Sequence, residues 1–255
     1  MNSWALVTGA TAGIGESFSR LLAANNYNLV LVARDLPRLQ ERAAALEAKF
    51  GISTHVIQAD LSTNEGCLKV EKHILENHID VLINNAGFGT SKAFTMSTLE
   101  LEQQLLDVLV RTPMRLMHVA LPLMKQRNKG IVINVSSVAG YIAGGTYSAS
   151  KSYLTVLSES LHTELAATNV KVSALCPGFT RTEFHQRGKM SMKGLPNFLW
   201  LNSDRLVEQS WRDALKGKAV SVPGWQYKIL ILVVQIVPRS IIRKVGMNMR
   251  SKQRK

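Results

Sequence analysis

The chain has 255 residues, of which 46% are hydrophobic, 19% charged and 6% aromatic, and its formal net charge is +13. This composition excludes a disordered or collagen-like chain and is sufficient for one sizeable α/β domain. The only two cysteines, Cys67 and Cys176, belong to no CxxC or Cys/His cluster, which excludes a small disulfide scaffold and predicts a reducing compartment with no metal site.

From the N-terminus onward, short β-branched runs alternate with helix-length amphipathic stretches, a pattern typical of a parallel sheet. The chain starts without a basic region followed by an apolar stretch, so we expect a cytoplasmic protein. We predict strands at 5–8, 28–33, 54–58, 81–84, 130–135, 171–175 and 219–222. Helices are predicted between them, including 38–50 and a long one over 99–127 with a bend near Pro113.

These elements predict one doubly wound, Rossmann-type parallel sheet with helices on both faces over residues 1–223. Residues 224–255 exceed what such a core requires. We therefore expect them to form a C-terminal apolar and basic helical extension.

A glycine-rich turn follows the first predicted strand, and a predicted helix follows the turn. Backbone N–H groups and the positive end of the helix dipole can hold a pyrophosphate there. The alternative is a tight turn that binds nothing. The candidate nucleotide-binding residues of this turn are Gly9, Thr11, Gly13, Ile14 and Gly15.

Arg34 directly follows the second predicted strand. In a doubly wound sheet, the side chain at this strand tip faces the adenosine ribose. A guanidinium can hold a 2′-phosphate, which favours NADP over NAD. In the alternative, Arg34 is an ordinary exposed charge and Asp35 contacts the ribose.

Five further motifs follow at strand ends and at one helix start. They are Asp60, the run Asn84-Asn85-Ala86-Gly87, the pair Ser136-Ser137, Tyr147 with Lys151, and Pro177-Gly178. With the glycine turn, they make residues 3–223 resemble the short-chain dehydrogenase/reductase family. The resemblance implies an NADP-dependent oxidoreductase that acts on a small-molecule carbonyl or alcohol.

The same resemblance implies further cofactor contacts. Asp60 and Leu61 would meet the adenine. The middle of the cofactor would be lined by Asn85, Ala86 and Gly87, and its nicotinamide end by Pro177, Gly178, Phe179, Thr180 and Thr182. The family commonly forms homo-oligomers, so we expect a dimer or tetramer.

Tyr147 and Lys151 lie four residues apart and share one face of a predicted helix. An ammonium near a phenol lowers its pKa from about 10, so Tyr147 could donate a proton to a forming alkoxide. Ser137 would orient the carbonyl oxygen. The alternative for all three is an unrelated tyrosine, a solvated lysine and a strand-end serine.

Two features depart from the family. Leu109 stands where the family usually has an asparagine that organises a proton-relaying water, and leucine offers no such hydrogen bond. The interval from Ser137 to Tyr147 is also shortened, so Ser136 is the alternative if the register differs. These departures leave open an NADP(H)-binding module with a regulatory or structural role and an impaired relay.

A substrate lid is expected over 183–200, and its apolar residues fit either an apolar ketone or aldehyde or the packing of the lid itself. The lid also contains the cations Arg187, Lys189 and Lys193. We predict that His185 is an exposed lid residue without a catalytic role.

From Gln226 onward the chain has eight basic residues and no acidic one, interleaved with apolar clusters. Its longest strongly apolar run, 229–237, is shorter than the roughly 20 residues that a bilayer-spanning helix needs. Packing on the core, a subunit interface, peripheral membrane contact and an adaptor role all stay open, and we expect no nucleic acid as partner.

Overall fold

The computed structural model describes residues 3–188, 190–192 and 194–243. It contains a seven-stranded parallel sheet in the order β3-β2-β1-β4-β5-β6-β7. The strands are β1 (Trp4–Thr8), β2 (Asn28–Ala33), β3 (Thr54–Gln58), β4 (Val81–Asn84), β5 (Gly130–Val135), β6 (Val170–Leu175) and β7 (Val220–Ser221). The predicted fold class is confirmed, and each predicted strand boundary lies within one residue of the observed one.

Helices cover both faces of this sheet. They are α1 (Gly13–Ala24), α2 (Leu36–Phe50), α3 (Asn64–Glu76), α4 (Leu99–Leu106), α5 (Thr112–Gln126), α6 (Thr146–Glu164), α7 (Phe184–Arg187), α8 (Ser203–Leu215) and α9 (Trp225–Ile236). Successive residues of β2 alternate between two hydrophobic clusters: Leu29 and Leu31 belong to one, and Val30 and Val32 to the other. The alternation explains why this strand is apolar throughout, as strands buried on both faces are.

The long helix predicted over 99–127 is interrupted. A π-helical turn, Asp107–Arg111, lies between α4 and α5, directly before Pro113. Proline has no N–H to donate to the carbonyl of Leu109, four residues earlier, so the regular hydrogen-bond ladder cannot continue there.

The order of the strands reverses at β1, which pairs with β2 on one side and with β4 on the other. In doubly wound sheets, ligands bind in the crevice at the carboxyl ends of the strands where this reversal occurs. The turns that follow β1 and β4 meet at that edge.

The C-terminal extension begins with α9, which packs onto the loop after β6 through Tyr227. Among the described residues, no helix is both long and apolar enough to cross a bilayer. Several cations of the sequence analysis lie outside the described residues, namely Lys189 and Lys193 of the predicted lid and Lys244, Arg250, Lys252, Arg254 and Lys255 of the tail.

Candidate functional site

The glycine-rich turn between β1 and α1 has a backbone that requires glycine. Gly9 and Gly13 have φ angles of +67° and +57°, in the left-handed region that residues with a side chain rarely adopt. A Cβ atom on Gly15 would lie 2.2 Å from the carbonyl oxygen of Gly9, so the turn cannot close with any larger residue. The turn therefore stays narrow against the start of α1.

Two polar side chains, one at the end of β1 and one after β4, hold this turn in place. Asn85 Nδ2 donates to the carbonyl oxygens of Thr8 and Gly9 at 2.9 and 3.2 Å. The Thr8 hydroxyl accepts the backbone N–H groups of Asn85 and Ala86 at 2.9 and 3.0 Å. Sequence reasoning missed Thr8, although its position directly before Gly9 at a strand end was a usable signal.

The first turn of α1 suits an anionic ligand. No side chain of the described residues caps this helix, whereas Asp35, Thr63, Thr98 and Asn202 cap four of the others. The N–H groups at Gly13 and Ile14 and the positive end of the helix dipole therefore lie uncapped where the sequence predicts a pyrophosphate. Thr182 lies against Gly13, since a Cβ atom there would come within 2.9 Å of its side chain. The predicted pyrophosphate and nicotinamide contacts thus share one crevice.

The predicted ribose end of this crevice lies at the tips of β2 and β3. Arg34 is exposed, and its backbone carbonyl accepts Gln58 Nε2 at 3.0 Å. Asp35 Oδ1 caps α2 by accepting the Arg38 N–H at 3.1 Å, so this carboxylate already has a structural role. The pKa of Asp60 is lowered overall. Burial acts to raise it, but hydrogen bonds from Ser62 and the charge of Arg34 together outweigh burial.

The remaining predicted cofactor residues differ in exposure. Thr11 and Thr180 are buried, and the Thr180 hydroxyl donates to the Gly178 carbonyl at 3.0 Å. Leu61 packs inside a core cluster, which limits its contact with any nucleotide to its main chain. Gly178 lies directly under the ring of Tyr227, where any side chain would clash.

Ser137, at the end of β5, lies near Tyr147 and Lys151 at the start of α6, two residues whose spacing predicted a shared helix face. The Ser137 hydroxyl donates to the Pro177 carbonyl at 3.4 Å, and it lies near enough to the Tyr147 phenol to act on its pKa. Lys151 Nζ lies 5.7 Å from the centroid of the Tyr147 ring and donates to the Val135 carbonyl at 2.6 Å. The alternative of a solvated lysine is wrong, because Lys151 is 4% exposed.

The electrostatics of this group reverse one prediction. Burial raises the pKa of Tyr147 to about 12, although the hydrogen bond from Ser137 acts to lower it. Burial also lowers the pKa of Lys151 to about 8. The net shift of the Tyr147 pKa is therefore opposite to the predicted lowering, because removal of the phenol from water is its main cause.

Ser136, the alternative to Ser137 if the register differed, has a different place in the structure. Ser136 is buried, and its hydroxyl bonds to the Lys151 carbonyl and to the Thr155 hydroxyl, both at 2.7 Å. It fastens β5 to α6, and Ser137 alone of the pair reaches Tyr147. Leu109 is 1% exposed and lines a small cavity with Lys151, so its apolar side chain does lie beside the predicted relay.

An aromatic group defined by Phe179, Phe184, His185 and Trp200 covers this site. Its ring centroids lie 5.5 to 6.1 Å apart, and the Phe184 ring lies 5.8 Å from that of Tyr147. His185, predicted to be exposed, is half-buried within the group, and burial lowers its pKa. Its flat ring packs among the others, which the sequence pattern did not indicate.

The segment that carries these rings is tied to α2 by an ion pair. Arg38 donates from Nη1 and Nη2 to the two carboxylate oxygens of Glu183 at 3.1 and 2.6 Å. Hydrogen bonds from Arg38 and then from Arg187 hold the pKa of Glu183 at about 2 despite partial burial. Sequence reasoning missed this pair, because 145 residues separate its partners.

Comparison with known proteins identifies the family. Residues 3–192 match the family model described as short chain dehydrogenase. The very-long-chain 3-oxoacyl-CoA reductase-A of Danio rerio is 27% identical, over 100% of this chain and 80% of its own length.

Two solved structures are also similar. A short-chain dehydrogenase from Sphingobium yanoikuyae in complex with NADPH is 31% identical with a TM-score of 0.84, covering 91% of this chain and 93% of its own. The bulky-bulky ketone specific alcohol dehydrogenase from Comamonas testosteroni is 29% identical with a TM-score of 0.80, covering 91% and 92%. The chain therefore belongs to the short-chain dehydrogenase family of oxidoreductases.

Proposed function

We propose that this oxidoreductase is an NADPH-dependent reductase of apolar ketones or aldehydes, with Tyr147 as general acid. The observation that supports this most directly is the grouping of Ser137, Tyr147 and Lys151 under aromatic rings, at the sheet edge where the glycine turn lies. A phenol, a hydroxyl and an ammonium in one half-buried crevice suit proton donation to a carbonyl oxygen.

A nicotinamide bound along the crevice would supply the hydride. Tyr147, with its pKa near 12, is fully protonated at neutral pH and can give its proton to the developing alkoxide. Ser137 donates a hydrogen bond to the same oxygen and fixes its position. Lys151 is charged below about pH 8 and stabilises the phenolate that remains.

The preference for NADPH rests on the ribose end. Arg34 is exposed at the tip of β2, while Asp35 is engaged as the cap of α2 and is not free to bind two ribose hydroxyls. Similar structures include both an NADPH complex and an NAD complex, so the choice depends on this chain's own residues.

The proposed substrate class follows from the cover over Tyr147. Phe184 and Met190 both contact Gly89 across the crevice, and their apolar side chains exclude water from the reacting oxygen. Two similar proteins, named as a very-long-chain 3-oxoacyl-CoA reductase and a bulky-bulky ketone specific alcohol dehydrogenase, agree with a ketone that carries large apolar groups.

Leu109 favours a second candidate, an NADP(H)-binding module with a regulatory or structural role. A leucine beside Lys151 cannot return protons to it through its side chain. Its main-chain carbonyl is still an acceptor, and Pro113 provides no N–H to occupy it. We therefore place the reductase first.

The deciding experiment uses Tyr147→Phe and follows NADPH oxidation with ketones and aldehydes of increasing apolar size. Loss of the proton donor should lower turnover by about 10²- to 10⁴-fold. NADPH affinity, measured by fluorescence titration, should not change, because the ring stays in place. Tyr153→Phe, at an exposed position of the same helix, is the control and should keep full turnover.

Full turnover by Tyr147→Phe would contradict the proposed acid. If the unmodified protein bound NADPH but oxidised none of it with any carbonyl tested, the binding module would be favoured instead. The homo-oligomer, the cytoplasmic location and the division at residue 223 stay predictions.

A further inference from the structure

The helix α9 is apolar on two opposite sides. Tyr227 and Ile231 face the core and are 2% and 8% exposed. The opposite side carries large apolar residues at helical spacing that are 48 to 76% exposed, namely Trp225, Ile229, Leu232, Val233 and Ile236. A helix that is hydrophobic all round is normally buried, so this outer face requires a cover.

The apolar surface continues beyond the helix. Ile241 is 51% exposed after the break at Pro238. Phe198 is 64% exposed in the segment over the site, and Gln226 Nε2 donates to its backbone carbonyl at 3.0 Å. We define the tail surface as the five outer residues of α9 with Phe198 and Ile241.

The charged residues that the sequence places within and after α9 are all basic. Lys228, Arg239 and Arg243 are exposed within and after α9, and the sequence from Gln226 to the C-terminus contains eight basic and no acidic residues. Apolar side chains beside unpaired cations are the composition that binds the interface of an anionic bilayer.

We propose that the tail surface docks onto membranes that contain anionic phospholipids, with α9 lying in the plane of the interface. Its 12 residues are about 18 Å long, too short for the roughly 30 Å hydrocarbon core. A symmetric contact with a second copy is disfavoured, because it would bring the same basic residues of both chains together.

Docking there would place the membrane beside the opening of the crevice. The Tyr227 hydroxyl donates to the Leu199 carbonyl at 2.5 Å and accepts the Phe179 N–H at 3.0 Å, so α9 and the aromatic cover are held together. The inference concerns binding alone and does not depend on the proposed reductase activity.

The test is sedimentation of the full chain with phosphatidylcholine vesicles, with and without phosphatidylserine. We expect binding only when phosphatidylserine is present, and weaker binding as salt rises. Ile229→Glu with Leu232→Glu should reduce the bound fraction at least about tenfold, because charged side chains cannot enter the apolar layer. Leu75→Glu, on an exposed apolar residue of α3, is the matched control and should bind as the unmodified chain does.

The cations are tested separately by Arg239→Ala and Arg243→Ala, each expected to weaken binding about fivefold. Cooperative urea unfolding and circular dichroism confirm that every variant is folded. Absence of binding to phosphatidylserine vesicles, or equal binding by the Leu75 and tail variants, would overturn the proposal. So would a vesicle-free dimer, seen by analytical ultracentrifugation, that Leu232→Glu dissociates while no variant binds vesicles.

Discussion

Lys151 is a cation that the fold removes almost completely from water. Within the part of the chain that the structure describes, Nζ donates one hydrogen bond, to the neutral carbonyl of Val135, and burial lowers the pKa of Lys151 from 10.5 to about 8. Such a shift means that the folded protein carries this charge at a cost at neutral pH.

The pH dependence of stability should reveal that cost. Between about pH 8 and 10.5 the unfolded chain keeps the Lys151 proton and the folded protein loses it, so the free energy of unfolding rises with pH in this window. Lys151→Met lacks this gain. We expect the stability of the unmodified protein, relative to Lys151→Met, to increase by up to about 3 kcal/mol across the window.

Urea unfolding of both proteins at several pH values measures this difference in the free energy of unfolding. Contributions of the substitution that do not depend on pH are the same at every pH and do not change the trend. A difference that stays constant with pH would show that the buried lysine titrates normally.

Arg34 permits a prediction on cofactor choice. If its guanidinium holds the 2′-phosphate, Arg34→Ala should weaken NADPH binding by roughly 10- to 100-fold and leave NADH binding almost unchanged, because charge-assisted hydrogen bonds contribute about 1.5–3 kcal/mol. Fluorescence titration with both nucleotides gives the ratio. Lys49→Ala removes an equal charge at the far end of α2 and should preserve the ratio of NADPH to NADH binding. Equal losses for NADPH and NADH would refute the phosphate contact.

The burial of the Tyr147 and Lys151 side chains could not be predicted from the sequence. The spacing of Tyr147 and Lys151 was enough to predict that they share a helix face. The directions of their pKa shifts depend on burial by Phe184 and neighbouring elements, which no local spacing encodes. The shared helix face was therefore predictable, and the electrostatics of the two side chains were not.

Among the elements, the strands were the most predictable, because burial on both faces makes central strands such as β2 short continuous apolar runs. The π-helical turn before Pro113 was predictable only as a bend, since a missing N–H can be accommodated in several ways. The attachment of the aromatic cover to α2 could not be read from the sequence, because Arg38 and Glu183 meet only in the folded chain.

That attachment leads to a prediction for the segment 183–188. Glu183→Gln removes the charge that holds Arg38 and Arg187, so α7 should open more often. The backbone amides of Arg187 and Gly188, which bond to Glu183 and Phe184, should exchange hydrogen about two- to fivefold faster.

The stabilisation by Glu183 depends on pH. Since the Glu183 pKa is lowered from 4.5 to about 2, the stabilisation is present above about pH 4.5 and lost as pH falls towards 2.

Hydrogen exchange followed by mass spectrometry measures this opening at neutral pH. Glu65→Gln breaks the exposed Glu65–Lys69 pair of α3 and should leave exchange in 183–188 unchanged. Unchanged exchange in Glu183→Gln as well would show that the rings alone hold the cover.

The C-terminal extension and the site are one packed unit. The ring of Tyr227 fills the space above Gly178, where a Cβ atom would come within 1.9 Å of it. The predicted alternatives of core packing and membrane contact are therefore compatible, because the inner face of α9 packs on the core while its outer face is exposed. We propose that α9 folds together with the sheet.

Tyr227→Phe tests this unity. The substitution keeps the ring but leaves the Phe179 N–H and the Leu199 carbonyl without their shared partner. Unpaired polar groups cost about 1–3 kcal/mol when fully buried, and these two are part-buried, so the free energy of unfolding should fall by about 1 kcal/mol in a single cooperative transition. Urea denaturation followed by circular dichroism measures it, with Tyr153→Phe as the exposed control. If α9 were an independent appendage, Tyr227→Phe would leave the main transition unchanged. That result would contradict a role of the extension in positioning the aromatic cover over Tyr147.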